Sequence, residues 1–320
     1  MQLGSKPLET LTTEKRMKFS YRLKRDLKMN RYVYLMVLPV VLYYFIFHYG
    51  PMYGIQIAFK DYSPGTGMLH SPWVGFKYFN EFFQSFYFWR LIRNTLLLSF
   101  YELLFQFTSP ILLAFLLNEL RSALFKRIVQ TVAYLPYFIS VVVVVGFIVD
   151  FLARDGLINQ VLSSLFGMEK VAYLSKPEWF RTLFIGSGIW QNVGWGTIIY
   201  LAAIATIDPS LYEAAKVDGA NRFKQSIHIT LPGIMPTVII LLILQIGSLM
   251  SVNTDKILLM YNTATYETAD VIGTYVYRKG ILEANFSYSA AIGLFNSVIN
   301  FLLLIFANAL SKRVTETKLW

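Results

Sequence analysis

Two apolar stretches of the chain, residues 182–207 and 234–259, carry amide, hydroxyl and indole side chains within them. These polar and aromatic residues are Trp190, Gln191, Asn192 and Trp195 in the first stretch, and Gln245, Ser248 and Asn253 in the second. Amides hydrogen-bond hydroxyl groups, and an indole stacks on the apolar face of a sugar ring. The two clusters therefore predict a path for an oligosaccharide. Packing between helices is the alternative for each single residue, because amides also bond neighbouring helices.

A carboxylate and an amide one helical turn apart, Glu102 and Gln106, form a further polar pair in another apolar stretch. We expect this pair to hydrogen-bond a neighbouring helix rather than to carry a proton. The sequence has no Cys and only three His, so a metal site is not indicated. It also lacks the Gly-x-x-x-x-Gly-Lys-Ser/Thr pattern of a phosphate-binding loop. We expect no catalytic residue, no metal and no cofactor in this chain.

The composition places these residues in a membrane. Hydrophobic residues make up 55% of the 320 positions and charged residues 15%, whereas a soluble domain carries about 25% charged residues. A hydrocarbon core about 30 Å thick requires about 20 apolar residues in a helix. The stretches of sufficient length are residues 32–56, 91–118, 126–152, 182–207, 234–259 and 288–310. The expected fold is an all-α integral membrane protein with six transmembrane helices.

The distribution of Lys and Arg predicts how these helices are oriented. Of the 29 Lys and Arg, nine lie in residues 1–31 and three each lie near residue 121, in the connection 208–233, and after residue 311. Because cytoplasmic loops carry the excess of positive charge, both termini and this connection are predicted to be cytosolic. The predicted domains are a basic cytosolic arm (1–31), a six-helix transmembrane domain (32–311) and a cytosolic tail (312–320).

The connection 208–233 begins with signals for a helix start. Asp208 can accept hydrogen bonds from the unpaired N–H groups of the first turn, and Pro209 loses no bond at the first helical position. Ser210, with Glu213 three residues later, also fits a capping box. The carboxylate of Glu213 therefore has a structural explanation beside any role in binding a partner.

A glycine break and a second helix follow. Gly219 stands where a left-handed residue would end the first helix. Residues 220–229 are predicted to resume as a helix, which Leu231-Pro232 would end. From Glu213 the segment is EAAKVDGANRFKQSIHITLP, and its Glu-Ala-Ala, Gly and Leu-Pro spacing (the EAA motif) resembles the cytoplasmic loop of binding-protein-dependent ABC importer permeases.

This resemblance implies that the loop is a coupling helix gripped by an ATPase subunit. The carboxylate of Glu213 would pair with a cation of the ATPase, and the small alanines after it would allow close approach of the partner. The residues to which the resemblance assigns coupling are Glu213, Ala214, Ala215, Asp218, Gly219 and Ala220.

Other short segments are similar to a subgroup of these permeases that handle complex oligosaccharides, such as alginate or rhamnogalacturonan fragments. They include residues 49–54, 58–61, 73–76, 134–136 and 199–204. The resemblance implies a type I importer permease fold in the inner membrane of a bacterium. It also implies a second homologous permease subunit, two ATPase subunits that bind ATP and Mg, and an extracytoplasmic binding protein.

Cations expected on the outer side, Lys256, Arg278 and Lys279, are candidates to meet the carboxylates of an acidic sugar.

A secondary-active transporter of a polar solute is the alternative function. Such a transporter would require an internal repeat and an ion site at broken helices. The sequence has no evident repeat, and Glu102 is the only acidic residue near the middle of a predicted helix.

Overall fold

In a computed structural model of the chain, residues 26–315 are described, and most of the predicted arm (1–31) and of the predicted tail (312–320) lies outside them. Helices account for most of residues 26–315, which contain no strand beyond one isolated bridge between Lys60 and Trp73. The helices are α1 Arg31–Tyr44, α2 Gly50–Met52, α3 Gly67–His70, α4 Lys77–Gln84, α5 Phe88–Tyr101, α6 Thr108–Glu119, α7 Ala123–Tyr134, α8 Val141–Leu152, α9 Leu157–Phe166, α10 Pro177–Ala205, α11 Pro209–Val217, α12 Arg222–Gln225, α13 Leu231–Gly247, α14 Thr254–Met260, α15 Tyr266–Ala269, α16 Ile272–Tyr277 and α17 Phe286–Thr315.

Short π-helical and 3₁₀-helical turns join several of these helices. The π-helical turns are Phe45–Tyr49, Glu102–Gln106, Ser226–Thr230 and Arg278–Leu282. The 3₁₀ turns are Tyr53–Phe59, Leu135–Phe138, Tyr173–Ser175 and Thr263–Thr265. The chain divides into two units, residues up to Gln56 and residues from Ile57 onward, and the sites described below lie in the second unit.

Within residues 26–315, four helical segments are long and apolar enough to cross a membrane: Arg31–Phe59, Phe88–Glu119, Arg222–Gly247 and Phe286–Arg313. Two bent helix pairs raise this number to as many as six within residues 26–315, if each pair is one span. The pairs are Ala123–Phe138 with Val141–Phe166, bent by 99°, and Pro177–Ala205 with Pro209–Val217, bent by 73°. In the second pair, α10 alone has 29 residues, about 44 Å at 1.5 Å per residue, which exceeds the hydrocarbon thickness.

The prediction of one continuous helix over residues 126–152 is wrong. A 3₁₀ turn containing Pro136 ends the first part, and the hydroxyl of Ser140 accepts a hydrogen bond from the amide of Val143 at the start of α8. Proline supplies no amide hydrogen, and a serine N-cap starts a new helix, so the direction of the chain changes here. The valine run of residues 141–145 is nevertheless helical, as expected.

The predicted helix over residues 234–259 also differs from the structure. The helix α13 ends at Gly247, turns follow, and a separate short helix α14 begins at Thr254. The hydroxyl of Ser248 donates to the carbonyl of Gln245 at 3.1 Å. This local bond competes with continuation of the helix.

Glycines on α10 allow two other helical segments to approach it closely. A Cβ built at Gly194 would lie 2.0 Å from the carbonyl oxygen of Ala133, and one built at Gly196 would lie 2.9 Å from the ring of Pro110. Small residues allow such close backbone packing in membrane helices. Further along α10, towards its C-terminal end, a buried apolar cluster that includes Tyr200 and Ile234 joins α10 to α13.

Candidate functional site

A cavity of about 450 Å³ lies where α10, α13 and the π-helical turn after α5 meet. Its polar wall brings together Glu102 and Gln106 from the π turn, Asn192 and Trp195 from α10, and Gln245 and Ser248 from the end of α13. Apolar residues, among them Leu241, Leu244 and Ile199, complete the wall. The mixture of amides, a carboxylate, a hydroxyl and aromatic rings suits a polar ligand with hydrophobic faces.

Four of the seven predicted pathway residues line this cavity: Asn192, Trp195, Gln245 and Ser248. The amide nitrogen of Asn192 donates to the carbonyl of Gly188 on its own helix at 2.9 Å. The indole of Trp195 stacks on the ring of Tyr137 with centroids 4.4 Å apart and planes 3° apart. Stacking holds the indole in one orientation at the edge of the cavity.

The other three predicted residues, Trp190, Gln191 and Asn253, do not line the cavity. Gln191 donates its amide hydrogen to the carbonyl of Ile139 at 3.1 Å, which ties α10 to the break before α8. Asn253 accepts from the amide of Lys256 at 3.1 Å and is the N-cap of α14. Trp190 is half exposed on α10. The structure thus gives Gln191 a packing contact and Asn253 a capping role.

Glu102 and Gln106 were expected to hydrogen-bond a neighbouring helix, yet both line the cavity. Their spacing of one helical turn placed both side chains on one face of a helix. The sequence did not indicate whether that face meets a neighbouring helix or a cavity. The side chain of Gln106 can approach the backbone of α10 because residue 188 is a glycine. A Cβ built at Gly188 would lie 2.3 Å from the side-chain nitrogen of Gln106.

The connection 208–233 is helical, as predicted, and begins at Asp208. Its carboxylate accepts the backbone N–H of Ser210 at 2.9 Å, and this hydrogen bond lowers the pKa of Asp208. Asp208 is therefore the N-cap of α11, so the predicted capping box of Ser210 and Glu213 is wrong. In α11, Glu213 and Ala214 are exposed.

Gly219 follows α11 with φ of +76°, which confirms the expected left-handed residue. The amides of Gly219 and Ala220 bond back to the carbonyls of Lys216 and Ala215 at 3.1 and 2.8 Å. These bonds satisfy carbonyls that would otherwise be unpaired at the end of α11. The start of the first helix and the turn that ends it therefore follow from local sequence signals.

The prediction that Leu231-Pro232 ends the second helix is wrong. The helical segment continues from Arg222 through a π-helical turn to Gly247, and Pro232 lies in the first turn of α13. Proline is tolerated in the first turn of a helix. π-helical turns are also common where a helix is kinked or irregular, and here such a turn precedes Pro232. The loop is therefore continuous with a helix long enough to cross the membrane.

Two contacts attach the loop to the rest of the structure. Arg222 lies 3.0 Å from both the side-chain and the backbone oxygen of Glu119, at the end of α6. The hydroxyls of Tyr212 and Thr230 are 2.9 Å apart. Two apolar side chains of α11, Leu211 and Val217, are 52% and 87% exposed, which no pattern in the sequence indicated.

A set of apolar helices around a polar cavity, joined to a capped helical loop, defines a membrane permease. Residues 106–316 match the family described as "binding-protein-dependent transport system inner membrane component". The chain belongs to this family, and its fold is that of a type I importer permease. The resemblance inferred from the motif that begins at Glu213 is thereby confirmed.

Two relatives from Bacillus subtilis (strain 168) are similar over nearly their whole length. Protein LplB is 46% identical over 311 residues, which cover 97% of this chain and 96% of the relative. The polygalacturonan/rhamnogalacturonan transport system permease protein YteP is 47% identical over 296 residues, 92% of each chain. A crystal structure of a bacterial alginate ABC transporter, in complex with an alginate pentasaccharide-bound periplasmic protein, contains a chain that is 45% identical. That chain superposes with a TM-score of 0.87 over 93% of this chain and 100% of its own length.

Proposed function

We propose that the chain forms one half of the translocation pathway of an ATP-driven importer that takes up an oligosaccharide delivered by an extracytoplasmic binding protein. The observation that carries the proposal is the cavity where Asn192, Trp195, Gln245 and Ser248 meet. The amides and hydroxyl can exchange hydrogen bonds with sugar hydroxyls, and the indole offers a stacking surface. The named transport activities of YteP and of the alginate transporter support the same class of substrate.

The partners in this proposal are a second homologous permease, two ATPase subunits that hold ATP and Mg, and the binding protein. In this proposal the ATPase docks at α11, where the side chains of Leu211 and Val217 are exposed and available to a partner. Glu213, Ala214 and Ala215 lie on the same short helix. We infer that Glu213 pairs with a cation of the ATPase, because its carboxylate is not used by the N-cap. The roles of Asp218, Gly219 and Ala220 are to end the helix and to fix its direction.

We further propose that residues 32–311 form six membrane-spanning segments in the inner membrane of a bacterium, with cytosolic N- and C-terminal segments. The pair Ala123–Phe138 and Val141–Phe166 then forms one span, whereas in the second pair α10 spans the membrane alone and α11 belongs to the cytosolic loop. The Lys and Arg distribution supports this orientation, because the groups of three near residue 121 and in the connection 208–233 fall on one side.

The connection between α10 and α11 suggests how ATPase movement reaches the cavity. Only residues 206–208 separate the two helices, and α10 carries Asn192 and Trp195. A shift of α11 would therefore be transmitted along α10 to two residues of the cavity wall. Closure of the ATPases would rock the permease halves between inward- and outward-facing states, which is a rigid-body change of a known kind.

Replacement of Asn192 or Gln245 by Leu tests the pathway. In vesicles that contain the complete transporter, we expect each variant to reduce ATP-dependent oligosaccharide uptake at least several-fold, with the complex still assembled. Gln191→Leu is the matched control, because Gln191 is the neighbour of Asn192 but bonds Ile139 outside the cavity. That control should affect the yield of complex more than uptake per complex. Normal uptake by both cavity variants would assign these residues to packing, and uptake driven by an ion gradient without ATP would favour a secondary transporter.

A further inference from the structure

Glu102 brings a charged group to the wall of the cavity described above. Among the residues of 26–315 that line this cavity, no other side chain carries a charge. Glu102 opens the π-helical turn between α5 and α6, within the apolar segment Phe88–Glu119. An ionisable residue in a membrane-spanning segment is costly and is by default a functional one. Its place in this wall therefore calls for a partner of matching chemistry.

The carboxylate of Glu102 is not used by the fold. Within residues 26–313 its two side-chain oxygens form no ion pair and no hydrogen bond, and only its backbone carbonyl is bonded, by the amide of Phe107 at 3.0 Å. The side chain is half-buried, so its oxygens remain accessible from the cavity. They are therefore free to accept hydrogen bonds from a ligand.

Lys256 supplies an opposite charge to Glu102 from a distance. The ammonium of this buried lysine donates to the carbonyl of Phe184 at 3.1 Å and lies 5.1 Å from the centre of the Phe184 ring. Its charge acts on the carboxylate of Glu102, but within residues 26–313 the two groups are not among the ion pairs. Compensation without contact offsets part of the cost of the buried carboxylate and leaves its oxygens unoccupied.

The other two cations that were candidates to meet sugar carboxylates are bonded within the chain. Arg278 pairs with the buried Asp270 at 2.8 Å, and Lys279 pairs with Glu283 at 2.6 Å. Lys256 has its own contacts with Phe184. Each of the three candidates thus has a partner in the structure other than a ligand, and none of them occupies the oxygens of Glu102.

Two amides of the cavity wall complement the carboxylate. Gln106 lies one turn after Glu102, and Gln245 lines the same cavity from the end of α13. Within residues 26–313 their side chains make no hydrogen bond, since Ser109 and Ser248 bond only their backbone carbonyls. An amide offers N–H donors, whereas a carboxylate only accepts. The wall therefore offers what a hydroxyl group needs, which is an acceptor for its O–H and a donor for its lone pairs.

A sugar ring carries hydroxyl groups on neighbouring carbon atoms. Two such O–H groups can donate to the two oxygens of one carboxylate, and hydrogen bonds to a charged acceptor are roughly twice as strong as neutral ones. A site built to bond a hydroxyl strongly rejects an analogue that lacks it, because polar groups of the site are then left unpaired. A carboxylate of the ligand would instead meet a like charge. The ligand that fits is a neutral, hydroxyl-bearing edge of a sugar ring.

We propose that Glu102 determines specificity in the cavity by accepting hydrogen bonds from two neighbouring hydroxyl groups of one sugar ring, while the amide of Gln245 donates to one of them. This inference rests on the proposed function. It makes Glu102 a substrate-contacting residue and gives the permease its own selection for hydroxyl groups, in addition to any selection by the binding protein. It also replaces the expectation that Glu102 bonds a neighbouring helix.

The test uses the complete transporter in vesicles with its own binding protein. The probe is whichever of galactotetraose, arabinotetraose and tetragalacturonate is imported fastest, together with derivatives that each lack one hydroxyl group. We expect Glu102→Leu to reduce uptake of the intact probe at least tenfold. Glu102→Gln should reduce it less, because glutamine keeps one oxygen acceptor.

The derivatives show whether Glu102 contacts the sugar. In the unmodified transporter, removal of either of two neighbouring hydroxyl groups should reduce uptake at least fivefold, whereas the same removal should hardly change the remaining uptake by Glu102→Leu. If Glu102→Leu is inactive, the comparison is made with Glu102→Gln, in which dependence on one of the two hydroxyl groups should be lost. Selection by the binding protein cancels, because the same binding protein serves every transporter.

Glu169→Gln is the matched control, because Glu169 is exposed in the segment after α9. It removes a carboxylate outside the cavity and should leave uptake and its dependence on hydroxyl groups unchanged. Normal uptake by Glu102→Leu would overturn the inference. So would an equal effect of each missing hydroxyl group in the unmodified and variant transporters, which would leave Glu102 a structural residue or a contact of the second permease. The proposed function would stand in both cases, whereas failure of the unmodified transporter to import any of the three probes would remove it as well.

Discussion

Gly219 is the residue at which a single substitution should separate ATP hydrolysis from transport most clearly. Its φ is +76°, and a Cβ built on it meets no atom within 4 Å. The effect of a side chain here is therefore conformational rather than steric. A left-handed backbone costs an L residue about 1–2 kcal/mol, and a β-branched residue such as Val is still less favourable. This cost corresponds to a shift of about 5- to 30-fold in the equilibrium of the turn.

The effect on coupling follows from where the turn lies. Gly219 connects α11 to the helical segment that begins at Arg222 and continues to Gly247. If the turn opens, α11 is no longer held in one direction relative to that segment. In Gly219→Val we expect substrate-stimulated ATP hydrolysis by the reconstituted complex to fall at least several-fold. Basal hydrolysis by the separate ATPase subunits should not change, and membrane insertion should be normal because the apolar helices are untouched.

Gly219→Asn provides the matched control, because Asn accepts the left-handed conformation more readily than other non-glycine residues. It should retain most of the stimulated activity. The reasoning would be refuted if Gly219→Val stimulated hydrolysis and transport as well as the unmodified chain does. Equal losses in the Asn and Val variants would also contradict it, since the side chain rather than the backbone would then be responsible.

Two further predictions concern the loop and its placement. The ion pair of Arg222 with Glu119 is partly exposed and contributes at most about 1 kcal/mol to stability, so Arg222→Glu should leave assembly intact. It should still lower stimulated ATP hydrolysis by detaching the loop from α6, and the exchanged pair Arg222→Glu with Glu119→Arg should recover part of it; no recovery would show that the pair itself does not matter. Single cysteines at Gly65 and Ser175 should react with an impermeant thiol reagent from outside the cell, whereas a cysteine at Ser311 should not. The chain has no native Cys to interfere, and the opposite labelling pattern would reject the proposed orientation.

Much of the helical architecture, and the start and the glycine turn of the connection 208–233, could be predicted from local sequence. Asp208, Pro209 and Gly219 act on their own backbone neighbours, through an unpaired amide, a fixed φ and a left-handed turn. These effects extend over a few residues, so they can be predicted from the sequence without knowledge of the fold. Apolar length likewise indicated where helices could cross a membrane. Local signals were less reliable at Pro136 and Pro232, because proline ends one helix and is accommodated in the first turn of the other.

The membership of the cavity was decided by tertiary structure. Gln191 and Asn192 are adjacent amides on α10, yet the first bonds Ile139 and the second lines the cavity. Successive residues on a helix point about 100° apart, and only the positions of the neighbouring helices decide which direction is a cavity and which is a packed interface. The same is true of Arg278, a candidate to meet sugar carboxylates, which in the structure pairs with the buried Asp270 at 2.8 Å. A sequence states which groups are available, whereas contacts between segments distant along the chain depend on how the helices pack.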